Sequence, residues 1–598
     1  MLLTILAVLA VQPRFADVTA PIGLGADAIP ETVARLCLVD VDGDGLPDAV
    51  IDRHRVFLNR ADASGPGGRR FVEVPADRTG LDVPAAGTAA VFADLDNDGR
   101  VDAVTAEFID AHNPKWVDHG RRTRWQRGRG DGTFEEAVLL PVPARPTIAI
   151  AVGDVNRDGR LDLWFGNTYV QYGASVEAET NDLLLSDGAE GWRRACLPED
   201  NNPFTPERDL GGRPTFGTLI ASLSELPEPV LLELSYGRRW NRLWMRLPDG
   251  GWTDVAPALR FDGDDIRHGR HPEWLKERAR TDPRFDREDE PPFRANGNTF
   301  DASIGDVDND GRFDVLVTEI THAWAGESAD RSRILLAAAP TSDRSAPGPG
   351  ALAPLPYELL PAARLALDRV PAPDDLPAAR SWNQGDLFGT LADLDNDGWL
   401  DVLLSSGDYP DDQRLRVYRG RPAPAPLVDA TSALAIDHDG SQQISLGDID
   451  GDGDLDVLVG QTFNRFTAEQ REGRSPHPKL LLNEASMSNR ALELRLEGDG
   501  RRVNRQGIGA IVRATLPDGT ARIAQMVGPG GHAGKQNDAV IHIGLGSAPS
   551  VSAIDVSWPG DAPPTVIEGP VAPGRYVVRM DGTLVDLNRA GSPEPEQP

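Results

Sequence analysis

Short apolar segments alternate with acidic, glycine-containing loops along most of the chain. The clearest example is DIDGDGDLDVLVG at residues 448–460, which follows a strand-like segment at 445–447 and continues directly into a second apolar segment. Its aspartates stand at loop positions 1, 3, 5 and 9, and Gly453 stands at position 6, where the backbone has to turn sharply. This pattern predicts an oxygen-rich turn between two buried β-strands.

The same loop recurs along the sequence, which indicates a repeat architecture. The residues at positions 1, 3, 5 and 9 of the successive copies are Asp40, Asp42, Asp44 and Asp48; Asp94, Asp96, Asp98 and Asp102; Asp154, Asn156, Asp158 and Asp162; Asp306, Asp308, Asp310 and Asp314; Asp393, Asp395, Asp397 and Asp401; and Asp448, Asp450, Asp452 and Asp456. Each copy lies between an apolar segment that enters it and another that leaves it, so each copy predicts a pair of neighbouring strands.

The longest interval between copies contains one further unit. Residues 216–237 lie within it and have the pattern of a strand, a loop and a second strand. Ser222, Ser224 and Leu226 stand where the carboxylates would be. We interpret this segment as a repeat without a metal site, which makes seven units in total.

Each unit contains two more predicted strands. A third apolar segment follows the loop and its two strands, and a fourth often carries an aromatic residue or valine beside an acid, as at residues 71–74, 134–137, 252–255 and 427–429. Four short strands per unit, separated by turn residues, predict the blades of a β-propeller.

The N-terminus is expected to complete the last blade. No fourth strand is evident after residues 479–483, whereas residues 15–19, FADVT, have a strand pattern and belong to no other unit. Closing the ring in this way leaves no open sheet edge. We therefore predict an all-β fold with a seven-bladed β-propeller over residues 14–487, in which the fourth blade is degenerate.

The acidic loops have the chemistry of calcium sites. Ca²⁺ takes six to eight oxygen ligands, which a tight loop with alternating carboxylates supplies. An EF-hand loop begins similarly, but it needs a glutamate at position 12 and a helix on each side. Position 12 of the last copy is Val459, within a predicted strand. The loops therefore differ from EF-hands and predict about six Ca²⁺ sites, of which the site with Asn156 is the weakest.

Charge and composition narrow the possible partners and the compartment. The formal net charge of -32 argues against nucleic acid, whose phosphates the protein would repel, and favours a protein that holds cations. The apolar start at residues 1–11, followed by Gln12 and Pro13, indicates a signal peptide over residues 1–13. No other run approaches the ~18 to 20 apolar residues of a membrane span, so no transmembrane segment is expected in the mature chain. Cys37 and Cys196 either form one bridge or stay as two separate thiols.

These loops and strands resemble the FG-GAP/VCBS repeats of integrin-α-like β-propellers. The resemblance covers the predicted ring and is carried by the six loops given above. It implies that the loops bind Ca²⁺ through their aspartates. The unit at residues 216–237 departs from the pattern, and no metal is assigned to it.

The remaining chain resembles the ASPIC/UnbV domain that follows such propellers in some bacterial and cartilage-acidic-type proteins. Strand patterns occur at residues 489–498, 506–519, 528–546 and 551–560, and the GLG and WPG signatures fit the family. The stretch GGHAGKQND departs from the family's more usual Ser-Gln version. The resemblance implies a small β-sandwich-like domain over residues 488–586, followed by a disordered tail at 587–598.

A ligand surface is expected on the face opposite the calcium loops. In a four-stranded blade, the loops between the second and third strands lie on that face, and here they are rich in aromatic, histidine and arginine residues, which suit a binding surface. The candidates are His112, Trp116, Tyr169, Tyr172, Tyr236, Trp240, His322, Trp324, Tyr409, Phe463 and Arg465. Packing between blades is the other role open to these aromatic residues.

Two functions follow from this reading of the sequence. The first is a non-catalytic, calcium-stabilised binding or adhesion-type protein that recognises an extracellular protein or glycan. We expect it to be secreted, periplasmic or on the cell surface, and to be a monomer. The second is an enzyme on the same scaffold, a polysaccharide lyase or hydrolase that uses His112, His322 and nearby acids or tyrosines on the face opposite the calcium loops. No catalytic motif in the sequence supports the second function.

Overall fold

The structure is a computed structural model of the chain. It describes residues 14–29, 32–81, 89–175, 177–188, 191–201, 211–224, 226, 228–266, 269–283, 286, 289, 297–322, 325, 329–339, 355–369, 383–407, 414–484 and 489–588. The predicted signal peptide at 1–13 and residues 589–598 of the predicted tail lie outside these ranges, as do Trp324 and Tyr409.

The first part of the described chain consists almost entirely of short strands. They are β1 (Arg14–Asp17), β2 (Leu36–Val39), β3 (Asp48–Ile51), β4 (Arg55–Ala61), β5 (Arg69–Glu73), β6 (Ala89–Ala93), β7 (Asp102–Ala106), β8 (Arg124–Gln126), β9 (Val138–Leu139), β10 (Thr147–Gly153), β11 (Asp162–Asn167), β12 (Asp182–Ser186), β13 (Trp192–Ala195) and β14 (Thr215–Ala221). They continue with β15 (Val230–Ser235), β16 (Arg242–Arg246), β17 (Trp252–Asp254), β18 (Thr299–Gly305), β19 (Asp314–His322), β20 (Arg333–Ala338), β21 (Glu358–Pro361), β22 (Asn383–Ala392), β23 (Asp401–Ser406), β24 (Leu415–Arg419), β25 (Val428–Asp429), β26 (Ser441–Gly447), β27 (Asp456–Gln461) and β28 (Lys479–Glu484).

Helices are short and lie between strands. The α-helices are α1 (Ala76–Thr79), α2 (Ala256–Leu259), α3 (Glu273–Ala279) and α4 (Ala468–Arg471), and single 3₁₀ turns occur at Pro66–Gly68, Pro198–Asn201 and Ala363–Leu365. Within the described ranges, no helix has the length and apolar character needed to span a membrane.

Consecutive strands pair antiparallel, mostly in sets of four, which is consistent with a propeller. Two of these sets are joined into one eight-stranded sheet, because the end of β19 pairs antiparallel with the start of β22. We name each sheet after the first residue of its acidic loop. These are the Asp40 sheet (β2–β5), the Asp94 sheet (β6–β9), the Asp154 sheet (β10–β13), the Asp306 sheet (β18–β21), the Asp393 sheet (β22–β25) and the Asp448 sheet (β26–β28 with β1). The sheet of β14–β17, which has no acidic loop, is the Phe216 sheet.

Strand β1 completes the Asp448 sheet, as the sequence predicted. It pairs antiparallel with β28, with Phe15 opposite Asn483 and Asp17 opposite Leu481. The Thr19 hydroxyl also accepts the N–H of Leu480 at 2.9 Å. The N-terminal strand therefore links the start of the ring to its last sheet.

The predicted fourth strand at residues 134–137 is displaced. The strand in the Asp94 sheet is Val138–Leu139, and both of its residues are exposed. Phe134 is instead buried against Phe92, with ring centroids 6.1 Å apart, and its N–H donates to Thr79 O at 2.7 Å. Phe134 therefore lies before the strand because its ring is buried beneath α1.

Two further four-stranded sheets are formed by the C-terminal region. Its strands are β29 (Arg490–Glu497), β30 (Ile511–Thr515), β31 (Ala521–Gln525), β32 (Gly531–His532), β33 (Ile541–Gly546), β34 (Val551–Ser557), β35 (Thr565–Val571), β36 (Gly574–Arg579) and β37 (Leu584–Asp586). One sheet has the order β33-β29-β36-β37 and the other has the order β31-β30-β34-β35. Side chains from both sheets, such as Leu494 and Val556, belong to one apolar cluster, which also includes Val91 of the Asp94 sheet and Ile150 of the Asp154 sheet.

Strand β32 belongs to neither of these sheets, because it pairs with the first strand of the Phe216 sheet. It lies within residues 528–538, which we call the central segment. This segment reaches the first strands of six sheets. Its contacts are with Phe92, Val152, Thr218, Asp301, Gly389 and Leu446. The C-terminal region therefore fills the space between the first strands.

Close packing explains why the central segment is rich in glycine. A Cβ added at Gly530 would lie 2.7 Å from Leu219 Cδ1, and one added at Gly531 would collide with Asp301 Oδ1. Lys535 Nζ ends among the strands, 2.6 Å from Asp301 Oδ2 and 3.1 Å from Ala302 O. The stretch GGHAGKQND, which departs from the family's usual version, thus supplies Lys535 to a buried ion pair with Asp301 at the centre.

The two cysteines do not pair with each other. Cys37 lies buried in β2, and Cys196 is exposed at the end of β13. Burial raises the pKa of the Cys37 thiol well above its usual range. Of the alternatives that the sequence leaves open, the structure therefore has two separate thiols.

Replacing Lys535 with methionine tests the central ion pair. Removing one partner of a buried pair typically costs about 3 to 5 kcal/mol, because the other charge stays buried without compensation. We expect Lys535→Met to lower the free energy of unfolding by this amount in urea titrations, and a second change, Asp301→Leu, to restore part of it. Lys276→Met, on the exposed side of α3, is the matched control. Equal urea midpoints for Lys535→Met and Lys276→Met would show that the ion pair between Lys535 and Asp301 does not stabilise the fold.

Candidate metal loops and the opposite face

The aspartate at position 9 of each loop connects the loop to two strands. Asp456 is buried and accepts the N–H of Ile449, at loop position 2, at 2.9 Å and the N–H of Asn483, in β28, at 2.8 Å. Asp102 forms the same pair of bonds with Leu95 at 3.1 Å and Gly128 at 3.0 Å. The equivalent aspartates of the other loops repeat the pattern, namely Asp48, Asp162, Asp314 and Asp401.

The aspartate at position 1 organises the turn itself. Asp448 Oδ1 accepts the N–H of Gly451 at 2.7 Å and of Asp452 at 3.2 Å, and its Oδ2 accepts the N–H of Gly453 at 3.0 Å. Gly453 has φ of +92°, which favours glycine at this position. The side chain at position 1 therefore holds the backbone so that the carboxylates of positions 1, 3 and 9 of this loop lie close together.

Five of the six loops bring three carboxylates together. Within each group, one oxygen from each residue lies within 4.8 Å of the others. The groups are Asp40, Asp42 and Asp48; Asp94, Asp96 and Asp102; Asp306, Asp308 and Asp314; Asp393, Asp395 and Asp397; and Asp448, Asp450 and Asp456. In the Asp154 loop, the Asn156 amide instead donates to Asp158 Oδ2 at 2.9 Å.

Unpartnered oxygens in these groups fit a bound cation. Asp96 Oδ1, Asp308 Oδ1 and Asp395 Oδ1 are buried and accept no hydrogen bond. All three stand at position 3 of their loops and belong to the groups of carboxylates. A buried carboxylate oxygen without a donor is costly unless a cation takes that place. A hard divalent cation such as Ca²⁺ suits a site made only of oxygen ligands.

The electrostatics of the loops also favour a cation. Burial, followed by the neighbouring Asp42 carboxylate, raises the pKa of Asp48 to about 9. Burial raises the pKa of Asp102 to about 8 and the pKa of Asp314 to about 8, and nearby aspartates add to both effects. A bound divalent cation stabilises the ionised carboxylates and so opposes these shifts.

Neighbouring loops are joined by asparagines at position 4, which the sequence reading missed. Asn97 Nδ2 donates to Gly159 O at 3.0 Å, and Asn309 Nδ2 donates to Gly398 O at 2.9 Å. In both cases the acceptor is the position 6 carbonyl of another loop. Asn97 has φ of +60° and Asn309 has φ of +57°, a region that asparagine tolerates better than most residues. The recurring Asn-Asp-Gly in these copies was the available signal.

The C-terminal region lies against the metal loops. Arg495 Nη1 is 3.1 Å from Asp40 Oδ2, and Arg575 Nε is 3.5 Å from Asp448 Oδ2. Further bonds from this region reach the other loops, through Arg505 to Asn97, Gly560 to Arg157 and Gly546 to Asn396. A cavity of about 220 Å³ remains between the loops and this region, lined in part by Asp448, Glu493 and His542.

The predicted ligand-face residues differ in solvent exposure and lie in different sheets. His112 and Arg465 are exposed, Trp116, Tyr169, Tyr236 and Trp240 are half-buried, Tyr172 is 48% exposed, and His322 and Phe463 are buried. His112 follows β7 in the Asp94 sheet, whereas His322 ends β19 in the Asp306 sheet. None of the five groups of candidate metal ligands among the described residues contains either histidine.

Part of this set forms a continuous aromatic surface. The Phe108 and Tyr172 rings are 5.6 Å apart, and those of Tyr172 and Tyr169 are 6.4 Å apart. The Tyr169 hydroxyl lies against Gly237, and the adjacent Tyr236 ring is 4.7 Å from Phe216. We call Phe108, Tyr172, Tyr169 and Tyr236 the aromatic track. It follows the loops between second and third strands from the rim toward the centre.

Sequence reasoning missed two contributors to this face. Phe108 was not selected, although it follows β7 directly at the start of a second-to-third-strand loop. Arg474 was also missed, and its guanidinium covers Phe463 with 4.4 Å between the charge centre and the ring centre. Arg474 comes from a segment before β28, so nothing near Phe463 in the sequence indicated this contact.

Solved structures provide distant likenesses. They include the exotype rhamnogalacturonan lyase YesX, with 11% identity, a TM-score of 0.36, and coverage of 79% of this chain and 74% of that chain. The biofilm matrix protein Bap1 of V. cholerae has 11% identity and a TM-score of 0.34, with coverage of 90% of this chain and 100% of that chain. The GH74 xyloglucanase from Xanthomonas campestris has 12% identity and a TM-score of 0.35, with coverage of 95% and 72%. Likenesses this distant carry no argument about function.

Family models give a more specific result. No curated protein matches the sequence. The FG-GAP-like repeat model matches residues 116–165 and 393–459, each of which includes a complete acidic loop. The ASPIC and UnbV model matches residues 500–581, which include the central segment and most of the two C-terminal sheets. The chain therefore carries FG-GAP-like repeats and a C-terminal ASPIC/UnbV domain.

Proposed function

We propose that the protein is a non-catalytic, calcium-stabilised binding protein whose partner, a glycan or a protein, occupies the aromatic track. In this proposal the sheets form a closed ring of seven blades, and the acidic loops hold Ca²⁺ on one face. The partner binds on the other face. The protein acts as a monomer outside the cytoplasm, on the cell surface, in the periplasm or as a secreted protein.

The observation that carries the proposal is the position of the C-terminal domain. Its residues contact the metal loops of the Asp40, Asp94, Asp154, Asp393 and Asp448 sheets. Its central segment fills the space between the first strands. A large partner is therefore excluded from the loop face and cannot pass through the space between the first strands. The loops between second and third strands remain accessible.

The aromatic track has the properties of a recognition surface. Tyr172 is 48% exposed, and its backbone is fixed because its N–H donates to Asp110 Oδ1 at 3.3 Å. Exposed aromatic rings on a rigid scaffold supply contact area with little loss of conformational entropy on binding. Tyrosine rings also stack on the apolar faces of sugars and offer hydroxyl groups for hydrogen bonds.

Calcium has a structural role in this proposal. The loop carboxylates serve as ligands, and the metal joins the first and second strands of each blade. Extracellular calcium modules bind with dissociation constants of roughly 10⁻⁴ to 10⁻³ M, so external Ca²⁺ supports the folded state. The position 9 carboxylates are buried and accept backbone hydrogen bonds, which suits a structural role.

Removal of calcium should lower thermal stability. At a Ca²⁺ concentration of about 100 times the dissociation constant, each site contributes roughly 2.7 kcal/mol to stability. We expect a chelator to lower the melting temperature and added Ca²⁺ to restore it. Asp308→Asn should reduce the response, whereas Asp62→Asn, outside the loops, should leave it unchanged. An unchanged melting temperature in a verified metal-free sample would remove calcium from the proposal.

The effect of calcium should grow with pH. Because the folded pKa values of Asp48 and Asp102 are raised to about 9 and about 8, their contribution to metal-free stability is present below the usual aspartate pKa and is lost as pH rises through those values. Calcium binds the ionised carboxylates and therefore stabilises the protein most at high pH, where the metal-free protein is least stable. Differential scanning calorimetry with and without Ca²⁺ should give a larger increment at about pH 8 than at about pH 5. Equal increments would contradict this linkage.

Substitution of Tyr172 tests the ligand face. We expect Tyr172→Ala to weaken binding to a panel of soluble neutral and acidic polysaccharides by about 10-fold, since loss of one stacked ring costs roughly 1 to 3 kcal/mol. Leu139→Ala, on the exposed outer strand β9, is the control and should bind normally. Affinity electrophoresis measures binding, and reducing-end assays detect turnover. If Tyr172→Ala and Leu139→Ala bound polysaccharide equally well, the binding site would not be the aromatic track. If the wild type degraded a polysaccharide and His112→Ala did not, the result would favour the enzyme hypothesis.

A further inference from the structure

We propose that Arg35 anchors a carboxylate-binding subsite at the centre of the partner-binding face, and that this subsite takes a carboxylated sugar unit of a glycan. The inference rests on the proposed function, because it names the chemical class of the partner that occupies the same face. It is carried by the position of the Arg35 guanidinium, the aromatic rings around it and the absence of a carboxylate paired with it.

Arg35 reaches across the centre of the structure. It directly precedes β2, the first strand of the Asp40 sheet, and its N-terminal position places it at the end of β2 that is remote from the metal loop. Its guanidinium carbon lies 5.6 Å from the centre of the Phe388 ring. Phe388 belongs to β22 of the Asp393 sheet, whereas β2 packs beside β26 of the Asp448 sheet. The side chain therefore points over the centre and away from its own sheet.

Aromatic rings form the floor beneath Arg35. His532, at the tip of the central segment, stacks on Phe216 with 6.2 Å between ring centroids and an interplanar angle of 16°. It also contacts Phe300 at 5.0 Å and Phe388 at 5.1 Å. Burial, followed by the charge of Arg35, lowers the pKa of His532 to about 3, so the imidazole is neutral. The floor therefore offers no negative charge to the guanidinium.

The nearby carboxylates have other partners. Asp52 Oδ1 is 3.1 Å from Arg53 Nη2, and Glu107 Oε1 is 3.0 Å from Arg124 Nη1. In the described chain, Arg35 Nη1 donates to Ala34 O at 3.1 Å, and Arg35 has no ion pair. Among the described residues, these carboxylates are therefore paired with other arginines, and Arg35 has no carboxylate in contact with it.

The half-buried guanidinium of Arg35, which has no carboxylate in contact with it among the described residues, is suited to bind an anion. Burial, followed by the charge of Arg53, lowers the pKa of Arg35 to about 10. Arginine pairs with a carboxylate through two parallel hydrogen bonds, and such a bond is stronger in a poorly hydrated site than in water. A carboxylate ligand would therefore remove the cost of holding this charge among aromatic rings.

The surroundings favour a carboxylated sugar over an acidic peptide. The aromatic track leads inward from Phe108 and Tyr172 to Tyr236, whose ring lies 5.4 Å from Phe300 in the floor. A uronate-containing glycan presents sugar faces to successive rings and a planar carboxylate to Arg35. The strongly negative net charge of -32 disfavours partners with many free carboxylates, so the site suits a chain in which one carboxylate enters the centre.

Matched ligands and matched variants test the subsite in the full chain with Ca²⁺ present. The probes are an oligosaccharide that carries a single uronate unit and the methyl ester of the same oligosaccharide, which has the same sugars without the charge. The variants are Arg35→Gln, Arg35→Lys and the control Arg78→Gln on the exposed face of α1. Isothermal titration calorimetry measures affinity, and melting temperatures show that each variant is folded.

The wild type should bind the charged oligomer more tightly than its ester. Arg35→Gln should weaken binding of the charged oligomer by about 10- to 100-fold, the usual value of a hydrogen bond to a charged group, and should leave binding of the ester unchanged. Arg35→Lys should be intermediate, and Arg78→Gln should match the wild type. These results would support the subsite.

Other outcomes would overturn the proposed Arg35 subsite. Equal affinity of the wild type for the two oligomers, or unchanged binding by Arg35→Gln, would remove Arg35 from recognition. If Tyr172→Ala still weakened binding of neutral polysaccharides in that case, the proposed function would stand without this subsite. Binding of acidic peptides but of no oligosaccharide would overturn the glycan assignment. If Arg35→Gln failed to fold, the comparison of Arg35→Lys with the wild type would decide between these outcomes.

Discussion

Much of this structure depends on a buried aspartate that accepts backbone hydrogen bonds from two directions. At position 9 of every acidic loop, the carboxylate holds the second residue of the loop and an amide at or beside the third strand, as Asp456 does with Ile449 and Asn483. These bonds fix the spacing of three strands with one side chain. They also place a charge where burial makes ionisation unfavourable. A cation in the loop resolves the conflict, because it stabilises the ionised form that the hydrogen bonds also prefer.

The C-terminal domain shares in this electrostatic balance. Arg495 lies between Asp40 and Asp538, with 3.1 Å to each carboxylate, and Arg575 lies between Asp448 and Glu493. Each arginine therefore joins an acid of its own domain to the first aspartate of a metal loop. The loops of the first and last sheets are bound to the same domain in this way. Docking of the C-terminal domain and the candidate metal sites of the first and last sheets thus share the same arginine–aspartate contacts.

The same docking divides the molecule into two unlike faces. One face carries the acidic loops and is occupied by the C-terminal domain, while the other presents the aromatic track and Arg35. The central segment separates them, since its backbone pairs with β14 and its lysine reaches Asp301. The first face carries the candidate metal ligands and the ion pairs that hold the C-terminal domain. The second face retains exposed rings and a cation without a counterion, which are properties of a surface that binds a partner.

The sequence by itself determined the repeat, the acidic loops, the strands around them and the closure by the N-terminal strand. The loops and their strands are local features, because each depends on spacing within about ten residues and on the alternation that a strand requires. The pairing of β1 with β28 is not local, and it was predicted because the last unit lacked a fourth strand. Prediction was less accurate where burial of a single ring competed with strand pattern, as at Phe134. The candidate metal ligands could also be read from the sequence, and the loop with Asn156, which the sequence marked as the weakest site, is the one without the grouping of three carboxylates found in the others.

Only the tertiary structure decided which surfaces remain available. The sequence showed that GGHAGKQND was unusual, but nothing local indicated that His532 and Lys535 would meet Phe216 and Asp301, which lie hundreds of residues earlier. The same holds for Arg35, whose neighbours Phe388 and His532 come from other sheets. Contacts of this kind depend on how complete sheets pack around a shared centre. The physical reason is that local patterns specify which side of a strand is buried, whereas the partner buried against it is set by the assembly of the whole ring.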